Sequence, residues 1–177
     1  MICLMERSTP RLILLPWTDK WADDFALLCA DARVMEHILG GKTLVRDEAN
    51  SRSRKYSEWW RSFGHGPWAA LERSSGEFVG RIGLNLLEDW SGRDKWEVAW
   101  MLRPEYWGRG LATEGAVAAI EFGFSATDLE RIISVTLPNN LASRRVMEKA
   151  GLVYQGTLEW RGAEVVWYAI DKPGPPP

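Results

Sequence analysis

The chain is short of the residues that build metal centres and disulfide frameworks. Its 177 residues include two cysteines, Cys3 and Cys29, and two histidines, His37 and His65. No CxxC pair exists and the histidines stand far apart, so neither a zinc site nor a disulfide scaffold is readable and no metal is expected. No apolar run approaches the roughly 18 residues of a membrane span. The start, "MICLMERSTPR", lacks the long apolar stretch of a secretory signal. The expectation is a cytoplasmic, reduced protein with no membrane partner. Net charge is −2, so no global field draws the chain to nucleic acid or anionic lipid. No internal repeat appears, and the one low-complexity piece is the tail "KPGPPP".

What the chain does have is apolar mass: 46% of residues are hydrophobic and 11 are tryptophan. The length suits one domain over residues 1–177, with a core from about 9 to 171 and flexible tails at 1–8 and 172–177. The tryptophans fill a core, or some of them wall a binding cleft.

Turn signals divide the chain into strands and helices in the order β α α β β β α β α β β. "RLILLPW" (11–17) is a strand stopped by Pro16. Thr18 then starts a helix with Trp21, Phe25 and Leu28 on one face. Residues 45–63 form a more polar helix ended by "GHGP". "WAALE" and "FVGRIGLNLLE" flank "RSSG" as a hairpin. "KWEVAWML" (95–102) alternates as a strand. A helix follows "GRGLAT", then the β-branched strand "RIISVTL" (131–137). "PNNLASRRVMEKAG" is a helix stopped by Gly151. Two final strands flank "RGA". The unit from Lys95 to Leu137 implies a right-handed crossover between parallel strands, and the hairpins make the rest antiparallel.

The Gly108-Arg109-Gly110 start of a helix needs explaining, because glycine weakens helices. A helix start offers free N–H groups and the positive end of its dipole, which together bind anions. Bare glycines let a phosphate approach; Arg109 adds charge and Thr113 a hydroxyl. The alternative is a tight strand-to-helix turn with no ligand. GxxxxGK[ST] is absent, and so is the third glycine of a dinucleotide fingerprint.

"YWGRGLATE" followed by "NNLASRRVMEKAGLVYQG" resembles the GNAT N-acetyltransferase superfamily, and its ribosomal-protein RimJ/RimL-type branch in particular. "TPRLILLPW" resembles that branch's opening strand and "EFVGRIGLN" its central hairpin. The likeness covers about residues 9–171. It implies an α/β (α+β) fold: a mixed, mostly antiparallel central sheet with one splayed parallel pair and flanking helices. It also implies acetyl-CoA, as co-substrate, in the V between the strands at 95–102 and 131–137. By this resemblance the backbone of Met101 and Leu102 pairs with the pantetheine arm. Gly108, Arg109, Gly110, Leu111, Ala112 and Thr113 hold the pyrophosphate, Asn140 contacts the pantetheine, and Ser143 stands near the thiol. Two positions depart from the family. Trp107 replaces a glutamine or arginine. Met147 replaces a tyrosine that serves as general acid, which leaves Ser143, or Tyr154 as a fallback, to meet the leaving thiolate.

Amine acetylation needs a neutral amine and a stabilised oxyanion. Glu97, mid-strand in "WEVAW" among large apolar neighbours, is the base candidate, because burial lifts a carboxyl pKa. The alternative is a structural Glu. The oxyanion is expected against a backbone N–H near Met101, at a bulge in the strand. An α-amine has a pKa near 8 and a lysine near 10.4, so deprotonating lysine costs roughly 3.5 kcal/mol more; a site with a single candidate carboxylate favours the α-amine. By the resemblance, Arg52, Arg54 and Lys55 beside Trp59 and Trp60 line the acceptor cleft, where they would meet an acidic substrate or ribosomal RNA; the alternative is a solvated helix face. The expected partner is a peptide or small-molecule amine, with room for a homodimer. A non-enzymatic acyl-CoA-binding regulator using the same cleft is the alternative.

Overall fold

The structure is a computed structural model that describes residues 5–174. Eight strands form one sheet: β1 (Arg7–Ser8), β2 (Leu12–Pro16), β3 (Pro67–Glu72), β4 (Phe78–Leu86), β5 (Trp96–Leu102), β6 (Arg131–Thr136), β7 (Val153–Trp160) and β8 (Ala163–Asp171). Their order is β1-β2-β3-β4-β5-β6-β8-β7. Every neighbouring pair is antiparallel except β5 and β6. The helices are α1 (Ala22–Ala30), α2 (Ala32–Met35), α3 (Arg46–Phe63), α4 (Leu111–Ala126) and α5 (Leu141–Lys149). This is the mixed sheet with one parallel pair that the sequence implies, and α4 is its crossover.

The strand β4 shows why the core sits where it does. Eight of its nine residues are buried, as a central strand covered on both faces must be. Ile82 and Leu84 meet α4, where Gly115 and Gly123 leave room for their side chains. On the opposite face Arg81 lies under the ring of Tyr56 from α3. The helix α3 buries Ala49, Ser53, Tyr56, Ser57 and Trp60, one stripe at helical spacing. Trp17 joins Phe25, Tyr56 and Phe78 edge-on at ring separations of 5.4, 5.4 and 6.4 Å.

The N-terminal segment is tied to α4. The Glu114 carboxylate accepts from the Thr9 hydroxyl (2.5 Å), the Arg11 N–H (2.8 Å) and Arg11 Nε (2.7 Å), and Arg11 Nη1 donates to the Arg109 carbonyl (2.6 Å). Ordered backbone thus begins before residue 9: Arg7 and Ser8, expected in a flexible tail, pair with β2. At the other end the Lys172 N–H donates to the Glu130 carbonyl at 2.8 Å. The remaining parts of the expected tails, 1–4 and 175–177, lie outside the described residues.

Gly80 marks the tightest approach in the sheet. With φ at +153°, a Cβ on it would sit 2.1 Å from the Met101 carbonyl oxygen and 2.8 Å from the Leu102 Cα. Those are backbone atoms of the neighbouring strand and have nowhere to move. Gly80→Ala is expected to destabilise the protein by about 2–4 kcal/mol, the range of combined overpacking and backbone strain. Urea unfolding of wild type and variant measures it.

Candidate active site

The parallel pair opens into a cavity of about 1700 Å³. The strands β5 and β6 pair at Glu97↔Ile133. One residue on, Ser134 Oγ donates to the Val98 carbonyl at 2.8 Å. Beyond that point they separate.

The ladder on the other side of β5 says which backbone groups face the gap. It runs without interruption from Gly80↔Leu102 to Leu86↔Trp96. The Arg103 N–H donates to the Val79 carbonyl and the Leu87 N–H to the Lys95 carbonyl. Antiparallel ladders bond through alternate residues. Glu97, Ala99 and Met101 therefore turn their N–H and C=O groups toward β4, while Val98, Trp100 and Leu102 turn theirs toward β6. Two expectations are corrected. The strand has no bulge near Met101; the irregularities fall on β4, where Val79 is the extra residue between the pairs Ala70↔Gly80 and Leu71↔Phe78, and on β7, between Tyr154 and Gly156. Met101 does not offer its backbone to the cleft, because Arg81 on β4 takes it. The Leu102 carbonyl accepts from the Trp107 indole at 2.8 Å. That leaves both backbone groups of Trp100 and the N–H of Leu102 on the gap side.

At the open end of the V stands the start of α4. Gly108 and Gly110 have φ of +71° and +76°. A Cβ on Gly108 would meet nothing within 4 Å, and one on Gly110 would meet only Arg11 at 3.5 Å. The left-handed backbone, not crowding by the protein, is what asks for glycine here. The Glu114 N–H donates to the Gly110 carbonyl at 3.1 Å, so the N–H groups of Leu111, Ala112 and Thr113 precede the first helical bond. All three residues line the cavity together with both glycines. This arrangement fits a pyrophosphate. Arg109 does not join it. Its guanidinium pairs with Glu72 and lies 5.2 Å from the Tyr106 ring, so the charge expected beside the phosphate is already engaged.

The start of α5 faces the same cavity through Asn139, Asn140 and Ser143. Asn140 caps the helix: its Oδ1 accepts from the Ser143 N–H at 3.1 Å and its Nδ2 donates to Thr136 Oγ1 at 3.0 Å. Ser143 Oγ makes no hydrogen bond among the described residues. Met147, at the family's tyrosine position, is 1% exposed and part of the core. Tyr154, the fallback acid, stands half-exposed on the edge strand β7 against Tyr168, away from the cavity.

Glu97 lies where the strands part. Asn85 Nδ2 donates to Glu97 Oε1 at 3.2 Å, and Arg81 Nη1 donates to Asn85 Oδ1 at 2.7 Å. The residue borders the cavity and is only partly buried by area, yet protein encloses its carboxyl. That burial pushes the pKa up to about 7; the Asn85 hydrogen bond, Arg81, Arg161 and the Val135 N–H pull the other way and do not prevail. Cys29 also lines the cavity, but burial pushes its thiol up to about 11, so it is not a thiolate at neutral pH. Trp59, Trp100, Trp107 and Trp160 wall the cavity, while Trp17 and Trp68 are fully buried. Both readings of the tryptophans hold, for different residues.

Arg81 and Asn85 are the site residues that sequence reasoning passed over. The signal was present: two polar residues four apart, on one face of the otherwise apolar strand "FVGRIGLNL". Of the basic run on α3, Arg52 and Lys55 line the cavity and Arg54 faces solvent. Among the described residues no group of three or more His, Cys, Asp or Glu is placed to hold a metal ion, and no helix is long and apolar enough to cross a membrane.

A family profile described as the Acetyltransferase (GNAT) domain matches residues 11–153. A Bacillus subtilis protein described as uncharacterized N-acetyltransferase YoaA is 30% identical over 152 residues, 85% of this chain and 84% of its own. The FsC-acetyl coenzyme A-N(2)-transacetylase of Aspergillus fumigatus is 30% identical over 156 residues, 85% of this chain and 66% of that one. The solved structure of RimL, a ribosomal L7/L12 alpha-N-protein acetyltransferase in complex with coenzyme A, matches with a TM-score of 0.78. It covers 93% of this chain and 96% of that one, and its 14% identity speaks for the fold. The chain belongs to the GNAT acetyltransferase family. It is an acyltransferase, and acetyl-CoA is the co-substrate of that family.

The raised pKa of Glu97 has a consequence for stability. Its ordinary value is 4.5 and its folded value about 7. Between those two the folded protein holds more protons than the unfolded chain. Stability therefore falls as pH rises from 4.5 to 7, and the full penalty applies above 7. Glu97→Gln removes the penalty. The variant is expected to match wild type near pH 4.5 and to melt at a higher temperature above pH 7. A series of thermal melts across that window reads the widening difference.

Proposed function

We propose that the protein transfers the acetyl group of acetyl-CoA directly to a primary amine held in the cavity, with Glu97 as general base. The observation that carries this is a carboxyl of pKa about 7 at the point where β5 and β6 part. A base with a pKa near the working pH is partly ionised and still basic enough to take the proton of an ammonium group or of its bound water. When bound, acetyl-CoA supplies an activated thioester. The Trp100 and Leu102 backbone on the gap side suits the pantetheine amides, and the N–H groups of Leu111, Ala112 and Thr113 suit the pyrophosphate. The Trp100 N–H, in place of the one expected near Met101, is the donor for the developing oxyanion. Asn140 supports Ser143 by capping the helix that carries it, and the Ser143 hydroxyl donates to the departing sulfur.

Direct attack is favoured over an acyl-enzyme. Cys29 is kept as a thiol, and Ser143 has no base hydrogen-bonded to it; an activated nucleophile needs one or the other. The acceptor amine is either an α-amine of a peptide or that of a small molecule.

Thiol release from acetyl-CoA, screened against N-terminal peptides, polyamines, amino acids and aminoglycosides, tests the activity. Release with at least one class is expected; binding of acetyl-CoA with no release for any amine overturns the reading in favour of a binding protein. With the acceptor in hand, Glu97→Gln is expected to lower kcat by about 10²-fold or more. It should also flatten the rise in rate as pH climbs through 7, while acetyl-CoA affinity stays near wild type. Acceptors of different amine pKa, run in parallel, separate this limb from titration of the substrate.

Ser143→Ala gives a second, independent measure. If the hydroxyl meets the leaving sulfur, kcat falls more than acetyl-CoA affinity does. Unchanged turnover would reduce Ser143 to a residue of the helix start.

A further inference from the structure

Resting on the acetyl-transfer reading, we infer that Arg81 and Arg52 form a carboxylate receptor in the acceptor cavity, and that the acceptor is a free amino acid. Arg81 is a buried cation without a counter-ion. It is 4% exposed and part of the cavity wall. Among the described residues its guanidinium makes one hydrogen bond, to Asn85 Oδ1, and stacks 5.4 Å from the Tyr56 ring centre. Its Nε is enclosed with no partner. A guanidinium withdrawn from water is normally matched by a carboxylate or by a full set of acceptors, because its desolvation is costly. Glu97 does not fill that role: it lies one amide away, and with a pKa of about 7 it carries only part of a charge at neutral pH.

The second cation is Arg52, on α3. It lines the cavity, is half-buried, and makes no hydrogen bond or ion pair among the described residues. Arg52 stands one helical turn before Tyr56 on α3, and Tyr56 is the ring against which Arg81 lies, so the two cations border the same part of the cavity; the Glu48 carboxylate, a turn earlier on α3, is the acidic group nearest Arg52 along that helix. The neighbouring cations on this wall are already matched: Arg33 with Asp31, Lys55 with Glu88 and Arg161 with Asp89. This spot is separate from the phosphate seat. Arg81 reaches along β4 toward Asn85 and the Glu97 end of β5, whereas the seat on α4 adjoins the Leu102 end.

Guanidinium N–H groups make short, charge-assisted hydrogen bonds to carboxylate oxygens, and Asn85 is the one acceptor that Arg81 meets among the described residues. Arg81 and Glu97 grip opposite ends of the same Asn85 side chain. An anion on Arg81 and an amine at Glu97 are then a few bonds apart, the spacing within an α-, β- or γ-amino acid. An N-terminal Asp or Glu of a peptide presents the same pair of groups, and the test has to tell the two sources apart.

The experiment measures kcat/KM for thiol release with the L-amino acids, β-alanine and 4-aminobutyrate, each against its own carboxamide. Peptides beginning with Asp or Glu are run against those beginning with Asn or Gln. In wild type the best free acid is expected to exceed its amide by at least about tenfold, since a site built for a polar group rejects the analogue that lacks it. That ratio should fall toward one in Arg52→Gln, through KM, and in Arg81→Gln. Arg52 lies off the stripe that α3 buries and Arg81 is in the core, so Arg52→Gln is the safer variant for folding. Calorimetric titration of the same pairs into the protein reads binding apart from turnover. Equal rates for acid and amide, or a ratio that survives in both variants, overturns the receptor. Discrimination confined to the peptides moves the source to a protein N terminus and overturns the free amino acid. Thiol release with other amines only overturns the inference and leaves acetyl transfer standing. No release with any amine overturns acetyl transfer itself.

Discussion

A buried peptide group has to find a partner, and this fold leaves a row of them without one in the middle of a sheet. The strand β5 is bonded along its whole length to β4 but to β6 at one register position. The Ser134 hydroxyl takes the next carbonyl, and Trp107 takes the one at the far end. What lies between is Trp100 and the Leu102 N–H. The helices α4 and α5 both begin at the mouth of this opening. Groups that two strands would have used on each other are thereby left facing the cavity.

The chemistry at the closed end rests on one thin line of polar atoms through an apolar floor. Arg81, Asn85 and Glu97 are joined by hydrogen bonds of 2.7 and 3.2 Å. Burial makes Glu97 a weak acid, and the amide between it and Arg81 keeps the guanidinium from neutralising that effect. A direct ion pair would have pulled the carboxyl down to an ordinary pKa and left it fully ionised at neutral pH. Asn85 thus separates two charges as much as it connects them.

The left-handed turn before α4 was legible in the sequence because positive φ is a property that glycine displays openly; Gly108 and Gly110 announce it by type. The crossover was legible from the strand–helix–strand order between Lys95 and Leu137. The phase of β5 was not, because every residue carries the same N–H and C=O groups, and the ladder to β4 decides which of them point outward. Met101 and Trp100 exchange roles on that account. Arg109 shows a second limit. Its charge is visible in "GRG", but Glu72, which holds it, is far away along the chain and adjacent only in the fold. Met147 could be seen as a missing tyrosine; that its side chain belongs to the core required the packing of α5.

The clamp on Glu114 couples the start of the crossover helix to the segment before β2. Thr9 and Arg11 hold the first turn of α4 from outside, and Arg11 also holds the Arg109 carbonyl in the loop before it. An anion seated on the inner side of that turn and the N-terminal strap on its outer side bind the same few residues. Linkage between them is reciprocal: whatever free energy the strap lends to the seat, an occupied seat returns to the strap. The segment before β2 is in that sense a reporter of occupancy. What it gains or loses in hold is decided on the far face of a helix it never enters.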